Sequence, residues 1–364
     1  MNGILHAMTS TPHTIETLAP GATRMAAEAL SAPALCARQL QLNTNLVRDA
    51  GQRLRALAPP FAATLARGSS DQAAAFAKFL LETKAGIPTV SHAPSTGSLY
   101  HATSAHFRNV PLIAISQSGR SPDLLAAAGD ARARGAVVIA VVNDAASPLA
   151  DLAEIVVPVH AGPETSVAAT KSFLCTLVAL THLVAEWSQD AALLEALPQT
   201  GRVLEQAAAA DWTAAVAPLR DASEMLVLGR GPSLPIAGEA ALKLKETSNL
   251  HAEAFSSAEV AHGPMTLVGE GDPVLVLAPL DIARTGLRAR LEDFAARGAN
   301  VIAAGLPEDV APASLVLPMD TQVHPVLGAI AQIQSFYGLA NALSLARGCN
   351  PDSPPHLNKV TRTL

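Results

Sequence analysis

Short apolar runs alternate with longer Ala- and Leu-rich stretches along most of the chain, the pattern expected when buried parallel strands are joined by covering helices. Candidate strands in the first half are Phe61 to Ala66, Pro111 to Ile115, Val137 to Val142 and Ile155 to Val159. In the second half they are Met225 to Leu228, Val274 to Ala278, Val301 to Ala304 and Leu315 to Leu317. The predicted class is α/β, with parallel sheets flanked by helices in three αβα layers. Landmarks recur at one offset of 163 residues: Gly68 of LARGSS with Gly231 of LGRGPS, Leu112 with Leu275, and Arg134-Gly135 with Arg297-Gly298. Three landmarks at a single spacing imply two equivalent units without net insertion. The expected division is a helical lead over 1–48, a first unit over 49–200, a second over 201–345, and an irregular tail over 346–364 with Pro351, Pro354 and Pro355.

Composition narrows the function classes. A chain of 364 residues with 49% hydrophobic content buries enough core for about two domains. A net charge of -6 and no long basic run exclude a nucleic-acid surface but leave room for a local anion pocket. No apolar stretch reaches about eighteen residues, and the start lacks a basic segment followed by an apolar one, so neither a membrane span nor export is expected. Cys36, Cys175 and Cys349 are odd in number and lack CxxC spacing, which fits a reducing cytoplasmic location and neither disulfides nor a zinc ribbon. Lysine is scarce: only Lys78, Lys84, Lys171, Lys243, Lys245 and Lys359 stand among 25 basic residues. Where arginine serves as the general cation, a retained lysine points to a need for its amine, which a desolvated site can deprotonate.

Three stretches carry candidate chemistry. PLIAISQSGRSPD runs from an apolar strand through Ser116, Gln117, Ser118 and Ser121 into a helix starting near Pro122. Hydroxyls and free N–H groups at a helix N-terminus form a cradle for a phosphate monoester. Helix capping alone accounts for Ser121 but not for the other three residues. RGSSD, with Ser69 and Ser70, is a second polar turn entering a helix and able to close over the same ligand. GPETSVAATKSF places Thr165, Ser166 and Thr170 at the carboxyl edge of the sheet, where open α/β sheets bind ligands.

The strongest catalytic candidate is the run from Gly238 to Pro264. Helical spacing puts Glu239, Lys243 and Glu246 on one face and turns Lys245 elsewhere. An exposed ladder of ion pairs is the plain alternative, but Ala240, Ala241, Leu242 and Leu244 leave little polar surface on the rest of that helix. A carboxylate beside an amine can move a proton between adjacent sugar carbons while the ammonium stabilises the enolate-like charge. His262, ahead of Gly263-Pro264 in a Ser- and His-rich turn, is the residue type that can exchange a proton to open a pyranose ring. His251 and Glu253 do not make HExxH, and no His or Cys spacing calls for a metal or other cofactor.

In order along the chain, LARGSS, ISQSGRSPD, GPETSVAATKSF, the ALKLKE to AHGP stretch and HLNKVTRTL resemble the isomerase half of glucosamine-6-phosphate synthase, a double sugar-isomerase (SIS) domain protein. The resemblance covers nearly the whole chain and implies two tandem SIS domains that bind a sugar phosphate. It implies phosphate and sugar contacts from Ser69, Ser70, Ser116, Gln117, Ser118 and Ser121, and a backbone contact from Val167. It further implies Glu246 as the proton-shuttling base, Lys243 beside the enolate oxygen, and Lys359 as the tail lysine that bonds to the keto sugar. His262 would be the ring-opening residue reaching in from a second subunit, so a homodimer with shared sites is expected. Lys171 and Lys245 are read as structural.

Three positions depart from the pattern: Arg67 replaces a common cysteine, Arg120 a glutamate, and Ala169 a serine that touches the sugar. The synthase's glutaminase unit has no counterpart here, roughly 50 residues before the first unit being too few to supply it. Deamination of glucosamine 6-phosphate to fructose 6-phosphate and ammonia is therefore the expected direction, as in stand-alone deaminases of the isomerase type. The alternatives are a fructosamine-6-phosphate deglycase and a non-catalytic sugar-phosphate sensor. A dehydrogenase is disfavoured because LGRGPSL lacks the third glycine of a dinucleotide turn.

Overall fold

The computed structural model describes residues 23–100, 102, 105–306 and 312–359. Of the expected lead, residues 1–22 fall outside the described set, as do 360–364 of the HLNKVTRTL motif. The first sheet is built from β1 (Ala62–Leu65), β2 (Thr89–Ser91), β3 (Pro111–Ser116), β4 (Val137–Val142) and β5 (Ile155–Pro158). The second contains β6 (Glu224–Gly229), β7 (His251–Ser256), β8 (Pro273–Leu277), β9 (Asn300–Ala304) and β10 (Leu315–Leu317). Every pairing is parallel, and the orders are β2-β1-β3-β4-β5 and β10-β9-β8-β6-β7. Read from their first strands, the two sheets have the same order.

The 163-residue offset has a conformational counterpart. Gly68 and Gly231 both take φ +57°, and Gly135 and Gly298 take +89° and +78°, so the same turns recur at matched positions. All eight strands expected from apolar runs form, each within a residue or two of its predicted ends. Two more were not expected. β2 has only three residues, too few to show a period. β7 lies where a polar turn was predicted; its HAEAFS sequence pairs with β6 as an edge strand, and an edge needs one apolar face rather than a continuous run.

The strands that bear the site, such as β1 and β3, are buried throughout because helices cover both sheet faces. Helices Lys171–Ser188 and Pro325–Ala346 are apolar almost all round and fill the interior. A single core cluster joins helices of both units, including Ala77 and Leu80 from the first and Ala237, Ala240 and Phe336 from the second. Helix Arg24–Leu57 passes position 48 without a break and packs on Lys171–Ser188. Its Gln39 donates to the Val159 and Cys175 carbonyls, and its Asn43 to that of Pro158, which ties it to the end of β5. Among the described residues, no helix is long and apolar enough to cross a membrane.

Candidate active site

In the first sheet the strand order reverses between β1 and β3, so the turns that leave them diverge and open a crevice at the carboxyl edge. The turn after β1 supplies Ser69 and Ser70, and the turn after β3 supplies Ser116, Gln117, Ser118 and Ser121; all six line one cleft of about 350 Å³. Gly119 makes the second turn possible. Its φ is +62°, and a Cβ there would lie 2.1 Å from Ser147 Oγ. Ser116 Oγ accepts from the Gly119 N–H, which shapes the loop and leaves the Ser116 hydrogen free to donate. Ser121 sits at the N-cap of helix Pro122–Ala133 but makes no side-chain cap bond, so capping does not explain its hydroxyl.

The opposite wall comes from the second unit. Helix Ser233–Ser248 lies against helix Ser69–Leu80, so closely that a Cβ on Gly238 would fall 2.1 Å from Gln72 Oε1. This contact carries Lys243 and Glu246 into the cleft. The exposed-ladder alternative fails, because the side chains of Glu239 and Lys243 are 0% and 1% exposed, while that of Glu246 is 23% exposed. Lys243 Nζ ion-pairs with Glu246 and lies 3.6 Å from Glu239 Oε1. Burial would lower the Lys243 pKa, but the charges of Glu239 and Glu246 outweigh it and hold the amine protonated above its ordinary range. Burial pushes Glu239 up to about 7 against the pull of Lys243. Glu239 Oε1 also accepts from Ser69 Oγ at 3.2 Å and from the Tyr337 hydroxyl at 3.4 Å, so one carboxyl joins both units and a third helix.

Lys359 closes the third side. The tail is anchored by Asp352, which accepts from the N–H groups of Arg24 and Met25 and gives its carbonyl to the Val167 N–H. Val167 lines the cleft, and with its N–H taken, its carbonyl is the backbone group it can offer a ligand. Lys359 Nζ donates to Glu164 Oε2 at 2.9 Å. Glu164 was not singled out from the sequence, although an acid just ahead of a buried helix N-terminus was a usable signal. Burial alone would raise its pKa, but Lys359, the Ser172 hydroxyl and the Thr170 N–H together hold it below the usual carboxylate range.

Several expectations are corrected. Thr165 and Ser166 serve the scaffold: their N–H groups donate to Glu28, and the Ser166 hydroxyl donates to the Pro351 carbonyl. Thr170 gives its N–H to Glu164 and does not line the cleft. Lys245 turns elsewhere as its spacing predicts, donating to the Ala252 carbonyl away from the cleft. Of the residues that depart from the resemblance, Arg120 turns outward to Asp144 at 2.8 Å, whereas Arg67 lines the cleft and pairs with buried Asp123 at 3.0 Å. The structure thus gathers Ser69, Ser70, Ser116, Gln117, Ser118, Ser121, Val167, Lys243, Glu246 and Lys359 in one place. His262 is exposed on the short helix Glu259–His262 and does not line this cleft.

This geometry is that of a polar cleft with an anion cradle on one wall and a buried Lys–Glu pair on the other, built between two matching α/β units. The SIS domain description matches residues 62–186 and 218–304, and the chain belongs to the SIS-domain family. A glutamine–fructose-6-phosphate aminotransferase (isomerizing) of Zymomonas mobilis is 35% identical over 317 residues, which cover 81% of this chain and 51% of that protein. The chain spans about half the length of the curated relatives it matches. A solved structure from Silicibacter pomeroyi, assigned as a phosphosugar isomerase, is 40% identical with a TM-score of 0.85, covering 91% of this chain and 100% of that one. Glucosamine-6-phosphate deaminase from Thermotoga maritima shares the fold at 19% identity and a TM-score of 0.74, with 94% of this chain and 100% of that chain covered.

Proposed function

We propose that this chain converts glucosamine 6-phosphate to fructose 6-phosphate and ammonia. A sugar-phosphate isomerase-type function is supported by the family and by the names of its relatives. The observation that carries the finer reading is the buried Lys243 ion-paired with a half-buried Glu246, across the cleft from the Ser116–Ser121 cradle. The cradle takes the phosphate through hydroxyls and a helix N-terminus, with the Arg67 guanidinium at its rim. That anchors the far end of a six-carbon chain and leaves its C1 and C2 facing Glu246. In the open-chain amino aldehyde, Glu246 removes the C2 hydrogen and returns a proton to C1 while one amine hydrogen passes to the C1 oxygen, giving a ketimine. Lys243 stabilises the oxyanion that develops at C1 during this transfer. Water adds to C2, the carbinolamine collapses, and ammonia leaves; no reactant besides the sugar phosphate and water is consumed.

Two roles extend the proposal. Lys359, held at the cleft by Glu164, faces the keto end of the sugar. His262 opens the pyranose ring in the cleft of a second copy, consistent with its exposed position away from its own, and the working unit is a homodimer. The test is to measure ammonia and fructose 6-phosphate from glucosamine 6-phosphate with the purified chain and with Glu246→Gln. Equal amounts of both products, lowered about 100- to 10,000-fold in the variant, are expected. Failure to form either product, or a variant as active as the parent, would refute the proposal.

A further inference from the structure

Behind Ala169 the cleft continues into a small chamber that the steps above do not use. Its volume is about 40 Å³, with Ser69, Ser70 and Gln117 on the cleft side and Ser172, Phe173 and Thr176 on the inner side. One water needs roughly 10–15 Å³ of such space and two to four polar partners. About three waters fit, whereas a sugar ring does not. The wall is also polar in a particular sense. Ser69 Oγ donates to Glu239, Ser172 Oγ and Gln117 Nε2 donate to Glu164, and Thr176 Oγ1 donates to the Ser172 carbonyl. The hydroxyls of Ser69, Ser172 and Thr176 therefore already use their hydrogens and keep lone pairs with which to accept. Water held there donates its hydrogens to the wall, which raises the electron density on its own oxygen.

The mouth of the chamber lies between the Gln117 side of the phosphate cradle and the reacting end of the cleft. Ser69 reaches Lys243 through one carboxylate, Glu239, and Gln117 reaches Lys359 through one carboxylate, Glu164. Ala169, with a single methyl group, leaves the passage open. We infer that this chamber supplies the water that hydrolyses the ketimine, with Ser172 and Thr176 as positioning residues. The inference rests on the deamination reading. In this step the water oxygen bonds to C2 while one of its hydrogens passes to nitrogen, giving the carbinolamine. The C2–N bond then breaks, the hydroxyl hydrogen leaves with nitrogen as ammonia, and C2 becomes the ketone.

The chamber separates two measurable steps, since proton transfer at C2 needs no water whereas ammonia release does. In D2O, deuterium at C2 of recovered glucosamine 6-phosphate reports the first, and ammonia reports the second. Thr176→Val removes a lone-pair donor from the wall at nearly constant volume, and Ala169→Val narrows the passage. Each is expected to raise the ratio of deuterium incorporated to ammonia released about tenfold, and Thr176→Ser is expected to restore it. An unchanged ratio in both valine variants, with the parent active, overturns the chamber's role and leaves the deamination reading standing. A parent that neither exchanges C2–H nor releases ammonia refutes the deamination reading itself, and this inference with it.

Discussion

Glu239 ties the stability of this protein to pH in a way a single substitution can expose. Its carboxyl is fully buried and raised from an ordinary 4.5 to about 7, chiefly by desolvation that Lys243 offsets only in part. A raised carboxyl favours the folded state in its protonated form, so its contribution is fully present below pH 4.5 and is lost as pH rises through about 7. The rise corresponds to about 3 kcal/mol, of which about 2 to 3 kcal/mol falls between pH 5 and pH 8. Glu239→Gln keeps the shape and an oxygen that accepts from Ser69 and Tyr337, but it cannot ionise. Urea unfolding of both proteins at several pH values between 5 and 8 isolates this group, because the histidines and other titrating side chains are common to the pair. The parent should lose about 2 to 3 kcal/mol more than the variant across that range. Parallel pH curves would show that Glu239 ionises as an ordinary surface acid, and the account of a desolvated Glu239–Lys243–Glu246 cluster would fall.

Two further outcomes follow from the geometry. Gly119→Ala forces an L-residue into φ +62° and sets a methyl group against Ser147, which costs at least about 1–2 kcal/mol and displaces the Ser118 and Ser121 hydroxyls; KM for the sugar phosphate should rise at least tenfold while kcat changes less, and an unchanged KM would remove the phosphate from this loop. If His262 serves a neighbour's cleft, unfolding and refolding equal amounts of His262→Ala and Glu246→Gln together should recover about a quarter of the parent activity, since half the dimers would then carry one intact site; no recovery would place His262 outside the shared site.

Much of this protein was legible in the order of its residues. Strand positions follow from continuous apolar runs, the two matching units follow from glycines that take the same left-handed turns at a constant offset, and the shared face of Glu239, Lys243 and Glu246 follows from helical spacing. These properties are local, set by neighbours within a few positions or by a turn that only certain residues adopt. The tertiary structure decided the rest. Spacing aligned Glu239 with Lys243, but only the helices packed around them removed both from water. The Ser69–Glu239 bond spans 170 residues, and the Lys359–Glu164 pair spans 195. The same packing assigned Thr165 and Ser166 to the scaffold, drew Glu164 into the site and left His262 outside it. Burial and electrostatic coupling depend on which distant elements meet, and periodicity within a single element carries no record of that meeting.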